Sequence, residues 1–197
     1  MKTRDQAPGF SILELLVSLA IFSMAMGGLA VLLVQNSQIN RTEQLSTEAQ
    51  ANARNCLSMV VQVLRSAGWD PKNSGLAAVT LDATPLDPVN TIEVFADLNE
   101  DGDTSDADED VLIRHTGNQI DWRKTSDVLQ PFVVLADNIS NDANGDSVVE
   151  PMFVADSVTN PARITVQITA RSATPDPRTG NYLRYTVRSE VVLRKNL

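Results

Sequence analysis

Gly9-Phe10-Ser11-Ile12-Leu13-Glu14, followed without a further charge by Leu15 through Val34, is the stretch that decides the architecture of this 197-residue chain. Leu15 to Val34 gives twenty apolar or small residues, which at 1.5 Å each span about 30 Å, the thickness of a bilayer's hydrocarbon. The peptide before it, Met1 to Gly9, carries Lys2 and Arg4, and basic residues at that end favour a cytoplasmic N-terminus. Glu14 stands at the mouth of the apolar run. An ionised side chain near the start of a spanning helix is disfavoured by roughly 2.5–3.5 kcal/mol, less where it reaches the interface, so its presence there calls for a purpose. A secretory signal peptide shares the basic start and apolar core, but Ala25-Met26-Gly27 is a weak cleavage site and Glu14 argues against one. An uncleaved signal anchor is the other reading of the same residues.

The short basic leader ending in glycine, then phenylalanine, then glutamate five residues after the glycine, resembles the processing site of type IV prepilins and of type II secretion pseudopilins. That resemblance implies a cut between Gly9 and Phe10 by a membrane-embedded prepilin peptidase, with methylation of the new amine on Phe10. It also implies that Glu14 serves assembly, pairing with the free amine of a neighbouring Phe10.

Past the membrane run the helical pattern continues. Ile39, Leu45, Ala49, Ala53, Cys56, Leu57, Val60, Val63 and Leu64 recur at helical spacing, with polar residues between them. No proline interrupts Phe10 through Gly68; Gly68 supplies a stop and Pro71 opposes continuation. A helix over 10–66 would measure roughly 85 Å, about twice what a bilayer needs, so its outer part must pack on something. Gly27-Gly28 is its weak point, as a local melting site or as a close helix contact. Cys56, the only cysteine, excludes an internal disulfide and lies too far along for lipoprotein attachment; on the stripe it reads as a small buried apolar residue.

Beyond Gly68 the period shifts from 3.6 to 2. Ile164, Val166, Ile168 and Ala170 alternate with polar residues, as do Leu183, Tyr185, Val187, Ser189, Val191 and Leu193, and the connection Ser172–Asn181 holds Pro175, Pro177 and Gly180. These are half-buried antiparallel strands joined by a long hairpin loop. Shorter strands are expected at Thr91–Ala96, Val111–Thr116, Gln119–Arg123 and Phe132–Ala136, with residues 68–90 irregular. One antiparallel sheet laid on the outer part of the helix would bury both apolar faces, the α+β arrangement of the type IV pilin fold that the resemblance also implies. The expected organisation is a leader over 1–9, a long helix over 10–66 with about 12–34 in the membrane or filament core, and a β-rich domain over 67–197.

That last region has 21 acidic and 11 basic side chains, and residues 97–110 alone carry eight carboxylates with no lysine or arginine. Such a density repels itself unless solvated or neutralised, and a hard cation neutralises it best. Asp97, Asn99 and Asp101 fall at positions 1, 3 and 5 of a calcium loop, Gly102 at the sharp turn, and Asp103 where a backbone carbonyl would serve. Position 12 is Asp108 rather than glutamate, with Glu109 one place later, so either could close the site. Ca2+ is the expected ion; the alternative is a solvated turn on Asp101-Gly102. A fainter echo, Asn141-Asp142-Ala143-Asn144-Gly145-Asp146 with Glu150, reads better as a turn than as a second cation site.

The single histidine, His115, has no local serine and aspartate partners for a triad and reads as a strand residue; no nucleotide-binding loop is present and no nucleic-acid contact is inferred. Residues 132–139 and the basic end at Arg194-Lys195 are similar to PilW-type minor pilins and the related J-type pseudopilins. The resemblance implies a non-enzymatic subunit. It further implies a single-pass inner-membrane precursor that an assembly platform extracts into a filament, or its priming or tip complex, beside other pilins in the periplasm or at the cell surface. A minor pseudopilin of type II secretion is the alternative. From another class, a membrane-tethered calcium-dependent binding module that never polymerises would keep the same fold but has no use for Glu14.

Overall fold

The computed structural model describes residues 11–81, 90–106, 108–124, 130–157 and 161–194. The chain divides into two compact units, residues 1–43 and 44–197, and the long helix α1, Ile12–Ser66, contributes to each.

In the first unit the helix begins where its sequence allows a cap. The Ser11 hydroxyl accepts the N–H of Leu13 at 3.3 Å, and the Ser11 carbonyl accepts that of Leu15 at 3.2 Å, satisfying donors that a helix start otherwise leaves open. From Ser11 to Ser37 every side chain is exposed. The two hydroxyls inside the apolar run turn back on the helix, Ser18 to the Glu14 carbonyl at 2.7 Å and Ser23 to the Leu19 carbonyl at 2.8 Å, so neither offers an unpaired donor to lipid. A Cβ added at Gly27 or Gly28 would meet nothing within 4 Å.

In the second unit α1 is amphipathic. Leu45, Ala49, Ala53, Cys56, Val60, Val61 and Leu64 are buried, whereas Leu57 and Val63, expected on the same stripe, are half-buried at its flanks. Ile39, in the first unit, is 42% exposed. The helix stops as its sequence predicts. Gly68 takes φ 72° and donates its N–H to the Phe95 carbonyl at 2.9 Å, and Pro71 follows.

Among the described residues eight strands pair antiparallel: β1 Val79–Leu81, β2 Thr91–Phe95, β3 Asp110–Thr116, β4 Gln119–Arg123, β5 Val133–Asp137, β6 Phe153–Ala155, β7 Arg163–Arg171 and β8 Arg184–Val192. They form two sheets, β1-β2-β3-β4-β5 and β6-β7-β8, rather than the single sheet expected. The reason lies after β5. Asn138 and Asn141 take positive φ, 58° and 45°, and the chain between them pairs with β7 over the isolated bridge Ile139↔Ala170, where the Arg171 N–H donates to the Asn138 carbonyl at 2.8 Å and the Ser140 N–H to the Thr169 carbonyl at 2.9 Å, a contact too short to carry the ladder across. The three-residue β1 and β6 also had no period to announce them, and β1 corrects the irregular reading of its segment.

The core follows from these registers. Ile92 pairs with Ile113 and Val94 with Val111 in one sheet, and Ile164 pairs with Val191 in the other. With Ile120, Ile139, Met152, Phe153, Ile168 and Ala53, Cys56, Val60, Val61 and Leu64 of α1 they make one buried cluster. Each such side chain contributes about 1.5–3 kcal/mol by leaving water, and the cluster fixes the ends of β2 and β3 between which the acidic loop is strung. His115 lies in β3, 9% exposed, its Nε2 2.9 Å from the Ile139 carbonyl, a strand residue as expected.

Candidate functional site

Chemistry that packing does not explain is carried by the N-terminal segment and by the acidic loop. In the first, Gly9 and Phe10, the expected cleavage and methylation site, lie outside the described residues. Glu14 is in the first turn of α1, exposed, three residues after the cap Ser11. Ser11 and Glu14 thus have the spacing of a capping box, and the carboxylate also complements the positive end of the helix dipole. Around it Leu13, Leu15, Leu16 and Val17 are 51–71% exposed. Within a unit that offers them no core, such residues need lipid or the helices of other subunits.

The second is the acidic loop between β2 and β3. Its entrance is fixed by Asp97, which is fully buried; its N–H donates to the Trp69 carbonyl at 2.8 Å, and its carboxylate accepts the N–H of Asp101 and of Gly102, each at 3.0 Å. Its exit is fixed by Glu109, 2% exposed, whose Oε1 accepts the N–H of Leu98 at 2.8 Å and of Asn99 at 2.9 Å while its carbonyl accepts that of Ala96 at 2.9 Å. The loop's two ends therefore hold each other through carboxylate-to-backbone bonds, which are stronger than neutral ones.

Between these anchors, one carboxylate oxygen from each of Asp101, Asp103, Asp106 and Glu109 lies within 4.8 Å of the others. The linear spacing proposed a different group. Asp97 spends both oxygens on the backbone. Asn99 directs its amide N–H2 at Asp101 Oδ2, 3.0 Å, and Asp106 Oδ2, 2.6 Å. Asp108, at φ 76°, points away and pairs with Lys124 at 2.8 Å. Asp103 brings its side chain where a backbone carbonyl was expected, and Asp106 enters where a twelve-residue calcium loop has no ligand. No sequence period signals this. It follows from the turn at Asp106, whose carbonyl accepts the Glu109 N–H at 3.3 Å and so swings Glu109 inward.

The loop's charge is felt locally. The Asp103 N–H, and after it the Asn99 amide, hold the Asp101 carboxyl below its ordinary range, with Lys72 contributing; the Lys72 ammonium itself donates to the Asp101 carbonyl at 2.8 Å. At the base of the loop, burial and then the adjacent Asp110 push the Glu93 carboxyl up. The fainter acidic loop is closed differently. The Asp142 carboxylate accepts the N–H of Gly145 at 2.6 Å and Ser147 at 3.2 Å, and the Arg184 guanidinium lies 3.5 Å away. A protein cation thus meets the charge of Asp142, and the segment closes on its own backbone through that carboxylate.

Residues 6–30 match the model of the prokaryotic N-terminal methylation motif. No curated protein and no solved structure matches the chain. The motif implies processing by prepilin peptidase, an inner-membrane precursor and assembly with other pilins. With this motif leading into a long apolar helix that packs, in its second unit, against antiparallel sheets, the chain is type IV pilin-like, a structural protein rather than an enzyme.

Proposed function

We propose that this chain is a minor pilin of the PilW type, a low-abundance structural subunit of a type IV pilus that enters the filament or its priming or tip complex. One observation carries the reading: the methylation motif over residues 6–30 runs directly into an apolar helix whose side chains find no cover of their own. A membrane supplies that cover before assembly and the helices of other subunits supply it afterwards. In this reading prepilin peptidase cuts after Gly9, the amine of Phe10 is methylated, and Glu14 gives the incoming subunit a charge to pair with that amine. The β domain's acidity, concentrated in the loop rather than spread over the surface, fits a specialised subunit better than the repeating one of a filament shaft.

Mass spectrometry of the protein from sheared filaments of its native host tests this. The amino-terminal peptide should begin at Phe10 and carry a methyl group, and a bulky substitution at Gly9 should leave the precursor uncut. Recovery of an intact Met1 terminus from filaments would refute processing, and absence from filaments despite cleavage would favour the tethered module.

A further inference from the structure

We propose that the side chains of Asp101, Asp103, Asp106 and Glu109 form a divalent-cation site suited to calcium. A cluster of exposed aspartates is by itself an ordinary surface feature. What sets this one apart is Glu109, which is 2% exposed and whose Oε2 is buried without a hydrogen-bond partner. Its other oxygen, Oε1, is bound by two backbone N–H groups, so the carboxylate is fixed in orientation. Oε2 has lost its water and gained no donor, an arrangement native structures avoid unless something else meets the charge. The same carboxyl group is the one that lies within 4.8 Å of Asp101, Asp103 and Asp106.

The surrounding protein neutralises this group only in part. Lys72 binds a main-chain carbonyl of the loop rather than bridging the carboxylates, and Lys124 is engaged by Asp108. The neutral amide of Asn99 bridges Asp101 and Asp106, doing with partial charge what a cation would do with full charge. The donors are all carboxylate oxygens, with neither imidazole nor thiolate among them, which selects a hard ion over zinc or copper. Three of the four ligands are exposed aspartates on a loop, able to adjust and to leave room for water. Calcium tolerates such a shell of six to eight oxygens, whereas magnesium demands a tighter octahedron and gives up water reluctantly.

The site differs from the one the linear spacing suggests, and that difference makes it testable. The full-length protein in detergent, stripped with EDTA, is titrated with calcium chloride by calorimetry and melted with and without the ion. Wild type should bind one calcium with a dissociation constant of about 10⁻⁴–10⁻³ M, the range of extracellular modules, and its Tm should rise with calcium because the ion binds the folded state. Magnesium chloride should raise it less. Asp106→Asn should weaken binding by roughly tenfold or more, since ligand charge tunes such sites, whereas Asp108→Asn should bind as wild type does. In EDTA, Asp106→Asn should melt no lower than wild type, because it relieves repulsion among the carboxylates. No response of wild type at about 10 mM calcium, an Asp106→Asn protein that binds normally or melts far lower in EDTA, or an equal loss in Asp108→Asn, would overturn the site. An equal response to magnesium would overturn its assignment to calcium.

Discussion

Cys56 lies 1% exposed on the buried stripe of α1, and burial pushes its thiol up from about 9 to about 12. Between those values the unfolded chain forms a thiolate while the folded one keeps its proton, so the native state binds more protons and stability falls as pH rises. The slope from this group is about 1.4 kcal/mol per pH unit. Cys56→Ala should therefore cost about 1–2 kcal/mol at pH 7, from lost packing, and the gap to wild type should close above pH 9; thermal unfolding of both proteins from pH 7 to 10 measures it. The sequence made this residue legible because a helical stripe says which side chains are inside. It did not make the buried aspartates legible. Asp70, Asp97, Asp142 and Asp176 are all at most 6% exposed, and each accepts N–H groups of the loop it begins: Ser74 and Gly75, Asp101 and Gly102, Gly145 and Ser147, Thr179. For Asp70, burial pushes the carboxyl up and the bonds from Ser74, Gly75 and Leu76 outweigh it, leaving it below the ordinary range. Read by charge, such residues look like solvated acid or metal ligands. The available signal was a spacing, an aspartate followed three to five residues later by a glycine, at Gly75, Gly102, Gly145 and Gly180, the mark of a loop closed on its own backbone.

At the level of elements, hydrophobic period revealed what it physically encodes. The helix and strands β2, β4, β7 and β8 each present enough residues to one face for a period to stand out, whereas β3 and β5 read as short apolar runs, and the pairing partners within each sheet follow from adjacency in the chain. The break between the two sheets was not encoded in that way, because it is made by the backbone angles of Asn138 and Asn141 and not by any apolar position. The end of α1 was, because a glycine before a proline announces it. Gly68 serves twice there: its φ is positive, and a Cβ would come within 2.8 Å of the Arg194 carbonyl oxygen and 2.9 Å of the Ala78 Cβ. Gly68→Ala should cost about 2–4 kcal/mol, combining left-handed strain with a collision against backbone. Gly117, at φ 63° in the β3–β4 turn with nothing within 4 Å of an added Cβ, isolates the first effect, and Gly117→Ala should cost about 1–2 kcal/mol. Thermal unfolding of the two variants side by side separates the effects; equal losses would mean that the collision at Gly68 is relieved by movement of its neighbours.

For the molecule as a whole, a net charge of −9 coexists with an uncharged apolar run of twenty residues, and the two demand different surroundings. The acidic β domain is at home in water, whereas the run from Leu15 to Val34 requires lipid or other helices. Glu14, at the edge of that run, is the residue on which the filament reading and the tethered-module reading part. An anchor that only holds a domain at the membrane gains nothing from a carboxylate there, beyond a cap that Ser11 already supplies. A subunit leaving the membrane for a filament gains a partner, the Phe10 amine of its neighbour, and in a low-dielectric interior an amine deprived of that partner costs about 3–5 kcal/mol. Glu14→Ala should accordingly insert into the membrane and be cut after Gly9 as wild type is, since neither step uses the carboxylate in this reading, yet reach sheared filaments at a level reduced by roughly tenfold or more. Quantitative mass spectrometry of filament and membrane fractions from the same cells separates the steps. Loss of cleavage would assign Glu14 to peptidase recognition instead. Full incorporation of a cleaved Glu14→Ala subunit would show that helix packing alone drives assembly, and Glu14 would then be a capping residue of α1, as its position three residues after Ser11 allows.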